Sequence, residues 1–209
     1  MKAFRKVTGT GVPLGRSDID TDAIIPQQWL ITTSREGLGK GLFSNWRYRD
    51  DAFTPDHGFV LNEPRFARAK ILVAGPNYGC GSSREHAVWA HLDFGIEAII
   101  AESFGPIFRD NALRNGLPAI TLDGAAVSQV LAQLAALPAN RMTVDLERAE
   151  VTGPDGTAYR FTMDEERRRA LLDGIDDISA TLAHAPDIDA FHSADRIRNP
   201  YYWVQPPRD

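Results

Sequence analysis

Gly75-Pro76-Asn77-Tyr78-Gly79-Cys80-Gly81-Ser82-Ser83-Arg84-Glu85-His86 packs glycines, two hydroxyls and a cation into one short stretch. Upstream, residues 70–74 read Lys-Ile-Leu-Val-Ala, with the length and branching of a buried strand; downstream, residues 85–94 have helical content. The glycines therefore join a strand to a helix. The first N–H groups of a helix have no internal partners and its dipole favours negative charge there, so the loop reads as a site for a carboxylate or phosphate.

The same residues also match a Ser-x-x-Glu capping box, with Ser82 as N-cap and Glu85 reaching back from the third helical position. A capping box needs neither three loop glycines nor an arginine in the first turn, where a cation opposes the helix dipole. Arg84 is unfavourable there unless it meets an anion. The common alternatives fail on spacing: no lysine follows the glycines as a P-loop requires, Arg84 stands where Gly-x-Gly-x-x-Gly needs its last glycine, and no Gly-x-Ser-x-Gly elbow is present.

Beyond the loop, strands and helices alternate. Gly95 stops the first helix, residues 96–101 return as a strand, a helix covers about 106–115, and residues 117–122 form another strand. Parallel pairing with right-handed crossovers follows, which makes the chain α/β with a mainly parallel central sheet. Asp123-Gly124 opens a helix to about residue 136. Strands at 142–146 and 159–162 flank the turn signal of residues 152–156, a hairpin region appended to the sheet. Leu171, Ile175, Ile178 and Leu182 are spaced as a helical core stripe interrupted by Gly174. The tail, residues 199–207, is rich in aromatics and prolines, and either docks on a neighbour or clamps onto this chain. Residues 27–58 show no periodicity and mix Trp29, Phe43, Trp46 and Tyr48 with glycines and charges, which suits a lid or a partner-facing loop.

The 209 residues, 43% hydrophobic and 24% charged, suffice for one globular domain with a substantial core. No apolar run has the length of a membrane span and the N-terminus lacks the apolar core of a secretory signal, so a cytoplasmic protein is expected. A net charge of −5 argues against nucleic acid as the main partner. The one dense basic run, Arg167-Arg168-Arg169, follows Asp164-Glu165-Glu166 and reads as helical ion pairs. Cys80 is the sole cysteine, so the chain cannot by itself supply the thiolates of an iron–sulfur cluster or a structural zinc. Of the histidines, His86 and His91 are five apart, which does not put two ligands on one helix face, and His57, His184 and His192 stand in separate segments. No metal site is expected on this chain, the histidines read mostly as surface or structural groups, and Cys80 as a small loop residue rather than a nucleophile.

The whole run from Asn77 to His86 resembles the signature of the aconitase swivel-domain family, in particular the small subunits of 3-isopropylmalate dehydratase. Two distant segments carry the same resemblance. Asp18-Ile19-Asp20-Thr21-Asp22-Ala23-Ile24-Ile25-Pro26 is similar to the family's Asp-x-Asp-Thr-Asp-x-Ile-Ile-Pro element. Ser103-Phe104-Gly105-Pro106-Ile107-Phe108 and Asn111-Ala112-Leu113-Arg114-Asn115-Gly116 are similar to its Ser-Phe-x-x-Ile-Phe and Asn-x-x-x-Asn-Gly elements. The match covers roughly residues 1–120. It implies a single three-layer swivelling β/β/α domain across 1–209, like the fourth domain of aconitase, with a recognition or partner loop at about 27–58 and a helical and aromatic extension at about 164–209.

The chemistry implied by the resemblance is a dehydration and rehydration that moves a hydroxyl between two carbons of 2-isopropylmalate to give 3-isopropylmalate. Ser82 takes the position of the family's serine base, Arg84 that of the arginine gripping a substrate carboxylate, and Asp22 that of its acidic residue. Ser83 and Gly81 would contact substrate, Asn77 would shape the loop, and Arg35 is the candidate for a second carboxylate contact, with Arg47 and Arg49 nearby. A hydroxyl with acidity near that of water lies roughly nine pK units above neutrality, on the order of 12 kcal/mol, and a helix terminus offers at most about 2 kcal/mol. The resemblance implies what offsets the remainder: a large subunit with a 4Fe-4S cluster whose open iron acts as a Lewis acid on the leaving hydroxyl. Two other readings stand beside this one, a related hydro-lyase acting on citraconate, a methylmalate or homoaconitate, and a non-catalytic anion-binding regulatory module. A stand-alone serine hydrolase lacks the histidine and acid it needs beside Ser82.

Overall fold

A computed structural model describes residues 1–81, 84–137 and 140–203. Among the described residues seven strands, β1 (Lys6–Pro13), β2 (Ala69–Val73), β3 (Ala98–Ala101), β4 (Ala119–Thr121), β5 (Arg141–Asp145), β6 (Glu150–Thr152) and β7 (Ala158–Arg160), form one sheet in the order β4-β3-β2-β1-β5-β6-β7. The helices are α1 (Thr21–Ile24), α2 (Ser44–Arg47), α3 (Glu85–Phe94), α4 (Pro106–Arg114), α5 (Gly124–Ala136), α6 (Glu165–Asp173), α7 (Asp177–Leu182) and α8 (Ala185–Arg198). β1 to β4 pair in parallel through the α3 and α4 crossovers, and β5, β6 and β7 follow β1 antiparallel. This is the α/β fold that the strand–helix alternation implies, with β1 to β4 and β6 all running one way.

Alternation along β2 explains why helices cover both faces. Leu72 belongs to a core with Val12, Ile99, Val88 and Ala90 of α3, and Phe108 and Ala112 of α4. Ile71 and Val73 point to a second core with Ile100, Ile120, Val127, Val130 and Leu134 of α5, and Leu171 of α6. Period-two alternation between two apolar layers is what a doubly covered sheet requires. Helix ends follow their local chemistry: Asp123 Oδ1 accepts from Ala126 N at 2.9 Å to cap α5, and Gly95 closes α3 in the left-handed region at φ 103°.

Several local expectations are corrected. β1 was not anticipated, because Gly9 and Gly11 interrupt its apolar pattern; a Cβ at Gly11 would overlap Met142, so the glycine lets β5 and β1 lie close. β6 was also missed, and it is β6, not the strand at 142–146, that turns into β7 through residues 153–157. The stripe from Leu171 to Leu182 is not a continuous core face: Gly174 ends α6 at φ 70°, Leu171 is buried, and Ile178 and Leu182 are 73% and 64% exposed. Within residues 27–58, Leu38, Leu42 and Phe43 are buried in the first core, which ties that segment to the sheet. The acid-before-base run behaves as expected, with Arg168 2.9 Å and Arg169 3.6 Å from Glu165 on α6.

The chain forms two compact units, residues 1–174 and 175–209. The first contains the sheet and both cores. In the second, Trp203 lies in a short 3-10 turn, donates from its indole to Asp195 at 2.9 Å, and carries the Arg196 guanidinium over its ring at 4.9 Å. The tail up to Trp203 is thus a clamp onto α8; Val204 and beyond lie outside the described residues.

Candidate active site

Because β1, β2 and β3 are parallel neighbours, the loops that follow them emerge on one edge of the sheet, where α/β folds bind ligands. Backbone bonds stitch the three loops together. The glycine loop joins the loop after β1 through Gly75 N to Arg16 O at 3.0 Å, Asp18 N to Pro76 O at 2.9 Å, Gly79 N to Ile19 O at 2.7 Å and Thr21 N to Cys80 O at 3.1 Å. It joins the loop after β3 through Tyr78 N to Ser103 O at 3.0 Å and Gly105 N to Tyr78 O at 2.8 Å. The approach is close enough that a Cβ at Gly79 would overlap Phe108 and one at Gly105 would overlap the Gly79 carbonyl.

The three aspartates of the loop after β1 divide their work. Asp18, at φ 53°, accepts from Asn77 Nδ2 at 2.7 Å, and Asn77, itself at φ 59°, has its backbone N–H bound to Ser103 Oγ at 2.8 Å. Asn and Asp tolerate this left-handed region better than other side chains, so the pair holds two strained turns against each other. Asp20 caps α1 by accepting from Ala23 N at 2.6 Å. Asp22 faces Arg84, with Oδ1 3.9 Å from Nη1. Their side chains are 74% and 44% exposed, so this long ion pair adds little stability and leaves both groups open to a ligand.

Arg84 is the N-cap of α3, in extended geometry and without a side-chain cap bond. That corrects the capping box: Glu85 is the first helical residue, not the third, and its carboxylate accepts from Asn115 Nδ2 at 2.7 Å instead of returning to its own helix. Gly81, exposed and at φ 82°, turns the chain just before Ser82 and Ser83, which lie outside the described residues. The Cys80 thiol is pushed up by burial and by the Asp20 and Asp18 carboxylates, which keeps it protonated and unsuited to nucleophilic attack.

The structure separates the three arginines of the 27–58 loop. Arg47 donates to Gly39 O at 3.0 Å and Leu42 O at 3.3 Å, and burial lowers its pKa. Arg49 pairs with Asp56 at 3.3 Å. Arg35 is exposed and lies over the Trp89 ring of α3 at 5.0 Å, on the helix that begins at Arg84. A concavity of about 390 Å³ lined by Trp29, Tyr48 and Phe53 contains none of the expected site residues. The loop edge itself is open to water. No group of three or more His, Cys, Asp or Glu among the described residues can hold a metal ion, and a lone cysteine does not suit an iron–sulfur cluster.

The family model described as the aconitase C-terminal domain matches residues 1–125, and the LeuD_N model matches residues 128–165. The chain is 49% identical to 3-isopropylmalate dehydratase small subunit 2 of Bordetella parapertussis, over 96% of this chain and 99% of that protein. It is 50% identical to 3-isopropylmalate dehydratase small subunit of Cupriavidus necator, over 96% and 98%. This chain belongs to the 3-isopropylmalate dehydratase small-subunit family. A crystal structure of 3-isopropylmalate dehydratase (LeuD) from Methanocaldococcus jannaschii covers 90% of this chain and 99% of its own, with a TM-score of 0.64 and 27% identity. The swivel-domain fold expected from the motifs is therefore the fold of a solved member of the 3-isopropylmalate dehydratase family. Small-subunit membership entails a large-subunit partner, and among the described residues no helix is long and apolar enough to cross a membrane.

Four residues shape this dehydratase-family site in ways the sequence does not specify: Tyr78, Ser103 and Asn115 stand in the family motifs without an assigned task, and Trp89 stands in none of them. Tyr78 and Ser103 hold the glycine loop, while Trp89 and Asn115 brace the start of α3 from 26 residues apart, a tertiary pairing that no local periodicity encodes.

Proposed function

We propose that this chain works with a large subunit to interconvert 2-isopropylmalate and 3-isopropylmalate in leucine biosynthesis, in the cytoplasm, by dehydration and rehydration. The observation that carries the reading of the site is the meeting of Asp22 and Arg84, from segments 18–26 and 75–86, on the carboxyl edge of the parallel strands. In the dehydration half, Ser82 accepts the proton from the carbon beside the hydroxyl-bearing one, and the hydroxyl departs, so that water is lost overall. Rehydration returns proton and hydroxyl to exchanged carbons. Arg84 grips one substrate carboxylate and Arg35 the second, because Arg47 and Arg49 already have protein partners. Ser83 and Gly81 contact the same carboxylate as Arg84, Asn77 fixes the loop through Asp18, and Asp22 keeps Arg84 oriented before substrate arrives.

An open edge cannot exclude water, and the alkene intermediate needs a closed site; the large subunit supplies the other wall. It would also supply the 4Fe-4S cluster, a Lewis acid toward the leaving hydroxyl, for which the described residues of this chain offer no ligand set. The whole chain, 1–209, serves as one swivel-type subunit, with the exposed part of 27–58 as recognition loop and about 164–209 as partner-facing extension. In the assembled enzyme, Ser82→Ala is expected to lower turnover at least about 100-fold while copurification with the large subunit is unchanged. Turnover within two-fold of the parent would remove Ser82 from the chemistry and favour a binding module; full activity only with a different alkyl-malate would move the substrate assignment within the same hydro-lyase class.

A further inference from the structure

Trp89 lies on the second turn of α3 and is engaged on two sides. Its indole N–H donates to Asn115 Oδ1 at 3.1 Å, while the Asn115 amide donates to Glu85 at 2.7 Å and to Asn111 O at 2.9 Å. With the asparagine's donors and its acceptor all used, the indole has one orientation. Its ring carries the Arg35 guanidinium at 5.0 Å and the His86 ring at 4.8 Å. His86 in turn donates from Nε2 to Thr32 O at 2.9 Å, which ties the 32–35 segment to the same end of the helix. Arg35 is exposed, and the interaction found for its guanidinium among the described residues is with this ring.

We propose that Trp89, fixed by Asn115, is a positioning residue that presents Arg35 for the second carboxylate of a dicarboxylate substrate, while Arg84 at the start of the same helix holds the first. This rests on the assignment of Arg35 made above. Stacking on an aromatic face leaves the outer edge of a guanidinium free for a bidentate bond to a carboxylate, so the platform orients the group without consuming its donors. A substrate with two carboxylates needs two cations at a fixed separation. Mounting both on one helix end fixes that separation even though Arg35 comes from a loop.

The test is a double-mutant cycle in the assembled enzyme with 2-isopropylmalate. Arg35→Gln and Trp89→Leu are each expected to raise KM on the order of 10-fold with kcat within two-fold, and the double variant is expected to be no worse than Arg35→Gln alone. Trp89→Phe, which keeps a ring, is expected to raise KM less than about 3-fold. Multiplying effects in the double variant, or a loss of kcat with KM unchanged in Trp89→Leu, overturns the proposal, since a merely structural tryptophan acts independently of Arg35. Should the leucine variant not fold, Trp89→Met fills more of the space without an aromatic face and carries the same expectation. Unchanged KM in Arg35→Gln overturns the proposal but leaves the dehydratase reading standing if Ser82→Ala is inactive; an active Ser82→Ala enzyme sinks that reading itself.

Discussion

His91 is fully buried on α3, with Nδ1 2.6 Å from Ala87 O and Nε2 2.6 Å from the Tyr78 hydroxyl. A carbonyl only accepts, so Nδ1 carries the proton and Nε2 accepts from Tyr78. Burial lowers the His91 pKa to about 4 and raises that of Tyr78 well above its ordinary value, so both stay neutral. Tyr78→Phe alone strands a buried acceptor and is expected to cost about 1–3 kcal/mol, whereas Tyr78→Phe with His91→Leu replaces both partners by apolar groups and should recover most of it. The pH dependence has a definite sign. Between pH 6.5 and about 4 the unfolded chain binds a proton at this histidine and the native chain does not, so its contribution is full above 6.5 and falls as pH drops, by about 3 kcal/mol in all. Denaturant melts of the parent, the two single variants and the double variant from pH 4 to 7 check both points. Additive single losses, or an identical pH slope in the two proteins, would sink the account.

At the scale of elements, the site depends on loops after β1, β2 and β3 touching through backbone, and Gly105 is where that contact is tightest. Gly105→Ala is expected to cost about 1–3 kcal/mol, because its Cβ would overlap the Gly79 carbonyl and a backbone atom must shift. It should also lower kcat/KM in the assembled enzyme, since the glycine loop moves with Gly79; an unchanged melting temperature and unchanged kcat/KM would show that the loops are not coupled there. β2, α3, β3, α4 and α5 were legible because each has an uninterrupted period and a clear start or stop, such as Asp123 or Gly95. β1 was not, because the residues that let it pack at the centre of the sheet, Gly9 and Gly11, are those that erase its pattern. The capping box misled for a tertiary reason: Asn115 offers Glu85 a partner from another helix. Asp22 and Arg84 were legible as motif positions, but only the fold shows that Asp18 braces Asn77, Asp20 caps α1 and Asp22 faces Arg84.

For the whole molecule, the question is which residues the fold needs. Both apolar cores close within residues 1–174: among the described residues none after Leu171 is buried. Gly174 finishes α6, and its carbonyl accepts from the Met1 amino group at 3.1 Å, so this unit has its own boundary. Within residues 175–203 Trp203 clamps onto α8, while Ile178, Leu182, Phe191 and Ile197 are largely exposed. Stability follows buried apolar area, so a chain ending at Gly174 is expected to fold and to melt cooperatively within about 4 °C of the parent, a loss on the order of 1 kcal/mol. Calorimetry on the two proteins makes the comparison. A broad, non-cooperative transition in the shorter chain would mean that residues 175–209 complete the fold; a retained sharp transition would assign them a task outside it.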